Sequence, residues 1–164
     1  MLKLTKKADY GLIALKYLAE RGGDAASAKE IADAYHLPQE ALAKILQRLA
    51  KSGLLVSHQG TNGGYLLARS ANQISTLDVI QAIDGDVFLT SCSSAKKGCS
   101  QEDNCSIREP LRKVNHSIRG LLSRIKISDM REAVDNEADP MDRALQSATA
   151  RVAEHEPELV HLGR

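Results

Sequence analysis

Aromatic residues are scarce in this chain: one Phe, four Tyr and no Trp among 164 residues. So few rings exclude a stacking platform for single-stranded nucleic acid and an aromatic cage for a quaternary ammonium ligand. Long apolar runs are missing as well. Leu12-Ile13-Ala14-Leu15 is cut by Lys16, far short of the roughly 20 residues that a membrane span needs. The opening Met1-Leu2-Lys3-Leu4-Thr5-Lys6-Lys7 has no apolar stretch followed by a small-residue cleavage site, so no secretory signal is expected and the cytoplasm is the expected compartment. Excess charge of either sign is absent too, the net being +1, with 43% hydrophobic and 26% charged residues. That balance describes a globular chain with enough apolar surface for a core.

The small net charge hides a gradient. Residues 1–70 carry +4, 71–90 carry −3, 91–130 carry +4 and 131–164 carry −4. Two basic zones beside an acidic end suit a protein that meets a polyanion through part of its surface.

Apolar residues recur at helical spacing from Leu4 to Ala19, and Gly22-Gly23 ends the run, which predicts a first helix over 5–21. Ser27-Ala28-Lys29-Glu30 reads as a capping box opening a short second helix that reaches about Tyr35. His36-Leu37-Pro38 predicts a turn, and a third helix is expected from Pro38 to Lys51. On that helix Ala41, Leu42, Ile45, Leu46 and Leu49 share one face, leaving the other free. Leu54–His58 and Tyr65–Ala68 then read as strands around the glycine-rich tip Gly60-Thr61-Asn62-Gly63-Gly64. Helices followed at once by such a hairpin make the order of a winged helix-turn-helix. The free face of the third helix offers Gln39, Glu40, Lys44 and Gln47 for base edges or phosphate, with Arg48 for backbone. His58, Gln59 and Thr61 are the wing candidates.

A fourth helix is expected over Ile74–Ile83. Farther on, Ile107, Leu111, Val114, Ile118, Leu121 and Ile125 step by alternating fours and threes, a heptad stripe that predicts a long helix pairing with a second copy. The expected fold is therefore mainly α with a small β-hairpin, a winged helix-turn-helix plus a long C-terminal dimerisation helix. The expected divisions are 1–84 for the DNA-binding domain, 85–105 for a cysteine-bearing loop, 106–134 for the dimerisation helix with a short following helix, and 135–164 for an acidic, disordered tail.

All three cysteines, Cys92, Cys99 and Cys105, fall inside fourteen residues. An odd count in a reducing compartment argues against a disulfide framework and for thiolates gathered on a soft metal. Small and polar residues between them, Ser93, Ser94, Gly98, Ser100 and Asn104, let a loop bend around an iron–sulfur cluster. Structural zinc normally adds a closer cysteine pair than these C-x6-C and C-x5-C spacings provide. From spacing alone an iron–sulfur cluster, zinc and a redox thiol switch all remain open. His36, His58, His155 and His161 have no nucleophile or metal partner at useful spacing. No catalytic residue and no enzymatic activity are expected.

Several of these motifs together resemble the IscR/NsrR-type winged-helix regulators that carry iron–sulfur clusters. The likeness spans about residues 1–130 and rests on Leu4-Thr5-Lys6 with Asp9-Tyr10, Leu49-Ala50-Lys51-Ser52-Gly53-Leu54, the wing from Gly60 to Leu67 and the three-cysteine loop. It implies a homodimeric transcription regulator whose affinity for double-stranded promoter DNA depends on a 2Fe-2S or 4Fe-4S cluster on Cys92, Cys99 and Cys105. The first cysteine spacing is most similar to regulators of the SUF cluster-assembly system, and nitric-oxide or redox-responsive repressors belong to the same family. Where IscR-like members place a ligating histidine three residues after the last cysteine, this chain has Arg108, which stays protonated and cannot ligate. NsrR-like members use an aspartate of the first helix of the opposite subunit, and Asp9 occupies the matching place; Glu109 is the second carboxylate candidate.

Overall fold

Thr5 starts the first helix. In the computed structural model, which describes residues 4–60, 63–88 and 105–130, its side chain accepts the Ala8 N–H at 3.2 Å and opens α1, Lys6–Glu20. Ser27 and Glu30 close the expected capping box, with Glu30 N–H donating to Ser27 Oγ at 3.1 Å and Ser27 N–H to Glu30 Oε2 at 2.7 Å, and α2 follows as Ala28–Tyr35. His36 ends it in the left-handed region at φ 52°, a place usually taken by Gly or Asn. The third helix, α3, is Gln39–Lys51. Pro38 is its cap rather than its first residue, because its carbonyl already accepts the Leu42 N–H at 3.0 Å while its own backbone is still extended.

The wing consists of β1, Leu55–His58, and β2, Gly64–Leu67, antiparallel with Leu55 opposite Leu67 and His58 opposite Gly64. Both strands begin and end within one residue of the expected positions. Tyr65 adds a tie invisible to local pattern: it exchanges two backbone hydrogen bonds with Ala26, at 3.1 and 2.8 Å, and so fastens the hairpin to the segment before α2. Gly64 makes that approach possible, since a Cβ there would run into the backbone carbonyl of Ala26. Gly64→Val is therefore expected to cost about 1–3 kcal/mol of stability, read as a lower urea midpoint. An unchanged midpoint would mean that the wing is not held against Ala26.

The fourth helix, α4, is Thr76–Asp84. It begins two residues later than the expected Ile74, because Ser75 is a second capping-box residue with Asp78, at 3.1 and 2.9 Å, and Ile74 is extended. The long helix α5 is Arg108–Arg124, and a short 3-10 turn, Ile127–Met130, follows it. After α5 the chain returns to the start of α4. Thr76 N–H and its hydroxyl donate to Ile125 O at 2.9 and 3.1 Å, Ile127 N–H donates to Ile74 O at 3.0 Å, and the Ile127 side chain is completely buried. The core thus joins Leu15 of α1, Ile31 of α2, Leu42, Leu46 and Leu49 of α3, Val79 of α4, and Ile74 and Ile127 of the connecting segments. Among the described residues no helix is long and apolar enough to cross a membrane.

Candidate functional site

Burial of Leu42, Ile45, Leu46 and Leu49 against the core turns the opposite side of α3 outward. Gln39, Glu40, Lys44, Gln47 and Arg48 are all exposed there. Glu40, Lys44 and Arg48 follow one another at four-residue steps and form one row, flanked by Gln47. Thirteen residues at about 1.5 Å per residue give a rod of roughly 20 Å, and the major groove of B-DNA, about 12 Å wide, admits such a helix. Exposed amides and cations of this kind suit base edges and phosphates.

Gly60 and Gly63, on the two sides of the wing tip, lie close together. Gly63 N–H donates to Gly60 O at 2.9 Å, and a Cβ on Gly63 would lie 2.8 Å from both the Gly60 and His58 carbonyl oxygens. His58 and Gln59 are exposed at the entry to the tip; Thr61 lies outside the described residues.

Cys105, partly exposed and free of any disulfide, sits in the turn before α5, where its carbonyl accepts the Arg108 N–H at 3.5 Å. Cys92 and Cys99 lie outside the described residues, and so does the expected tail 135–164. Of the two carboxylate candidates, Asp9 is exposed on the first turn of α1. Glu109 is engaged: Arg112 Nε and Nη2 donate to its two oxygens at 2.9 and 2.8 Å, and these hydrogen bonds hold its carboxyl below the ordinary glutamate range. A carboxylate clamped on both oxygens is a poor candidate for a metal, whereas no described side chain clamps Asp9 in that way. Among the described residues no group of three His, Cys, Asp or Glu side chains is arranged to hold a metal.

Two polar ties around the loop's entry escape local sequence reading. The Thr5 hydroxyl donates to the Asp84 carboxylate at 2.8–2.9 Å, joining the start of α1 to the end of α4. Gln81 Nε2 donates to Asp86 Oδ1 at 3.1 Å, and Arg119 of α5 approaches the same oxygen at 3.9 Å. Only the acidic character of residues 71–90 hints at either.

Comparison with known proteins agrees with this geometry. Protein aau3 of Rhizobium meliloti (strain 1021) is 32% identical over 133 residues, 80% of this chain and 86% of that protein. The HTH-type transcriptional regulator IscR of Pectobacterium carotovorum subsp. carotovorum (strain PC1) is 30% identical over 158 residues, 93% of this chain and 95% of that protein. Among solved structures, T. potens IscR superposes with a TM-score of 0.63 at 30% identity, covering 84% of this chain and 94% of that one. The sequence model of the Rrf2 family, described as iron-dependent transcriptional regulators, matches residues 4–133. The winged-helix fold, the solvated row on α3 and this match lead to one conclusion: the chain belongs to the Rrf2 family and is a transcriptional regulator rather than an enzyme.

Proposed function

We propose that the protein binds promoter DNA as a homodimer in a manner governed by an iron–sulfur cluster, and that it controls cluster-assembly genes of the SUF type. The observation that carries the reading is the exposed row Gln39, Glu40, Lys44, Gln47 and Arg48 on α3, placed beside a hairpin whose entry presents His58 and Gln59. Thr61 is assigned to the same wing contact.

The donor chemistry fits a cluster. Cys92, Cys99 and Cys105 supply three thiolates, which soft iron–sulfur centres prefer. Arg108 cannot ligate and Glu109 is engaged by Arg112, so the reading assigns the remaining position to Asp9 of the partner subunit. When bound, a 2Fe-2S or 4Fe-4S group with this mixed ligand set supplies a labile, redox-sensitive centre. The chain's own part is to offer three thiolates and one carboxylate, and to keep the DNA-reading face of α3 in a fixed relation to α1 through the shared core.

Two measurements test the proposal. Anaerobically purified protein is expected to contain iron and acid-labile sulfide with a visible absorption; zinc without sulfide would replace the cluster reading by a zinc-stabilised one. Lys44→Ala and Gln47→Ala are each expected to weaken operator binding, by about 1–3 kcal/mol where the side chain reads a base edge, with the helical circular dichroism unchanged. Unaltered affinity and footprint in both variants would move recognition away from α3.

A further inference from the structure

An open groove of about 540 Å³ runs between the first turn of α1 and the flank of α3. Lys6 and Lys7 reach it from α1, Lys44 and Arg48 from α3, and among the described residues Glu40 is the single carboxylate on its wall. All four cations are exposed, and none forms an ion pair with a described residue. The floor is apolar, formed in part by Ile45 and the ring of Tyr10. Two further carboxylates lie at the same end of α1: Asp9, exposed on its first turn but not on the groove wall, and Asp84, engaged by the Thr5 hydroxyl.

Four like charges around one groove repel one another unless an anion arrives between them. The first turn of α1 adds to the attraction, because its leading N–H groups have no intrahelical acceptor and the helix dipole is positive there; Thr5 Oγ takes only the Ala8 N–H. The ligand that answers this lining has repeated negative charges separated by apolar segments. A DNA strand has that form, with phosphates about 3.4 Å apart along the helix axis on each strand and deoxyribose between them.

We infer that the α1–α3 groove grips the sugar–phosphate backbone at the edge of the major groove that α3 enters, with Lys6 and Lys7 holding phosphates beside Lys44 and Arg48. The inference rests on the DNA-binding reading above and extends the interface to a helix that reads no bases. Backbone contacts of this kind fix the register of the recognition helix without carrying sequence information.

The test is fluorescence anisotropy of the full-length protein with a mixed-sequence DNA duplex and with a duplex from its own promoter region, over a range of KCl concentrations. Lys6→Gln with Lys7→Gln is expected to reduce the slope of log affinity against log salt by about 2 per subunit, roughly 0.9 for each phosphate no longer neutralised. The ratio of affinities for the two duplexes should stay the same. Lys113→Gln, an exposed lysine of α5, serves as a single-charge control away from the groove and should leave the slope alone. An unchanged slope in the double variant overturns the groove assignment while leaving α3 recognition standing. A collapse of the affinity ratio overturns it too, since Lys6 and Lys7 would then act on base readout. Wild-type protein that binds neither duplex in any cluster state sinks the DNA-binding reading itself, and the groove with it.

Discussion

Val114→Glu is expected to convert the protein to monomers and to lower operator affinity by about 10²–10⁴-fold, the avidity that disappears when two linked half-site contacts become independent. The reason lies on α5. Ile107, Val114 and Leu121 recur every seventh residue and remain 59%, 48% and 36% exposed, while no residue of the helix is buried. Leu111 and Ile118, at the alternate heptad position, are half-buried, Ile125 at the end of that line is 37% exposed, and α5 rests against α4. The stripe therefore has one line left to water along its length and a second turned toward its own domain at Leu111 and Ile118. An apolar line repeated along nearly the whole helix is a surface for a partner helix, and the proposed dimer closes on it. In that dimer each subunit would place a glutamate in an apolar seam, and desolvating the two without a counter-charge costs at least roughly 3 kcal/mol, more than two orders of magnitude in the dissociation constant. Sedimentation equilibrium reads the mass directly. A Val114→Glu protein that sediments as an unaltered dimer would assign the exposed line to some other role.

Serine in place of any one of Cys92, Cys99 or Cys105 is expected to abolish the visible chromophore and the acid-labile sulfide. A serine hydroxyl is a hard, weakly acidic donor and a poor substitute for thiolate on a soft metal centre. For Cys105→Ser stability should hardly change, because Cys105 is partly exposed and is not among the residues of the core. Full iron and sulfide content in one serine variant would remove that cysteine from the ligand set. The fourth position is separated by a pair of variants. Asp9→Ala should shift the absorption and resonance Raman spectra of reconstituted protein and uncouple DNA affinity from cluster occupancy. Glu109→Ala, which releases Arg112 from its two hydrogen bonds, should stay close to wild type. The opposite pattern would place all four ligands on one chain, and silence from both variants would point to water or a small thiol.

What is legible in the sequence is whatever neighbours determine. The Ser27–Glu30 box, the apolar row of α3 and the glycine-marked hairpin each depend on residues a few positions apart, and each stands where spacing places it. The start of α4 departs from its expected position by two residues for the complementary reason. Ile74 has helical apolar spacing, but its carbonyl is taken by Ile127 and Ser75 bridges Lys126, partners about fifty residues away. The pairing of Tyr65 with Ala26 is hidden in the same way. At the candidate interface the outward row of α3 is readable from amphipathicity, whereas Lys6 and Lys7 look like ordinary basic residues near a terminus. Only the packing of α1 against α3 puts them on the same groove. Between the two carboxylates the resemblance already prefers Asp9 over Glu109, and the Arg112 clamp on Glu109 is a further difference that no local pattern announces.

The return of the chain to the core at Ile127 bears on how such a protein is made and shuffled. Thr76 and Ile125, bonded to each other, are 49 residues apart, and the stretch carrying the cysteines lies between them. On the ribosome, the winged-helix head cannot finish its interior until the cysteine-bearing stretch and the whole of α5 have been synthesised, so the thiols emerge before that interior is closed. A gene fusion that borrowed only residues up to Asp84 would inherit a head with a vacancy in place of the Ile127 side chain and an unanswered carbonyl at Ile74. Ile74–Thr76 and Ile125–Ile127 are consequently two sides of one closure, and the head is parted from the end of α5 only by breaking it.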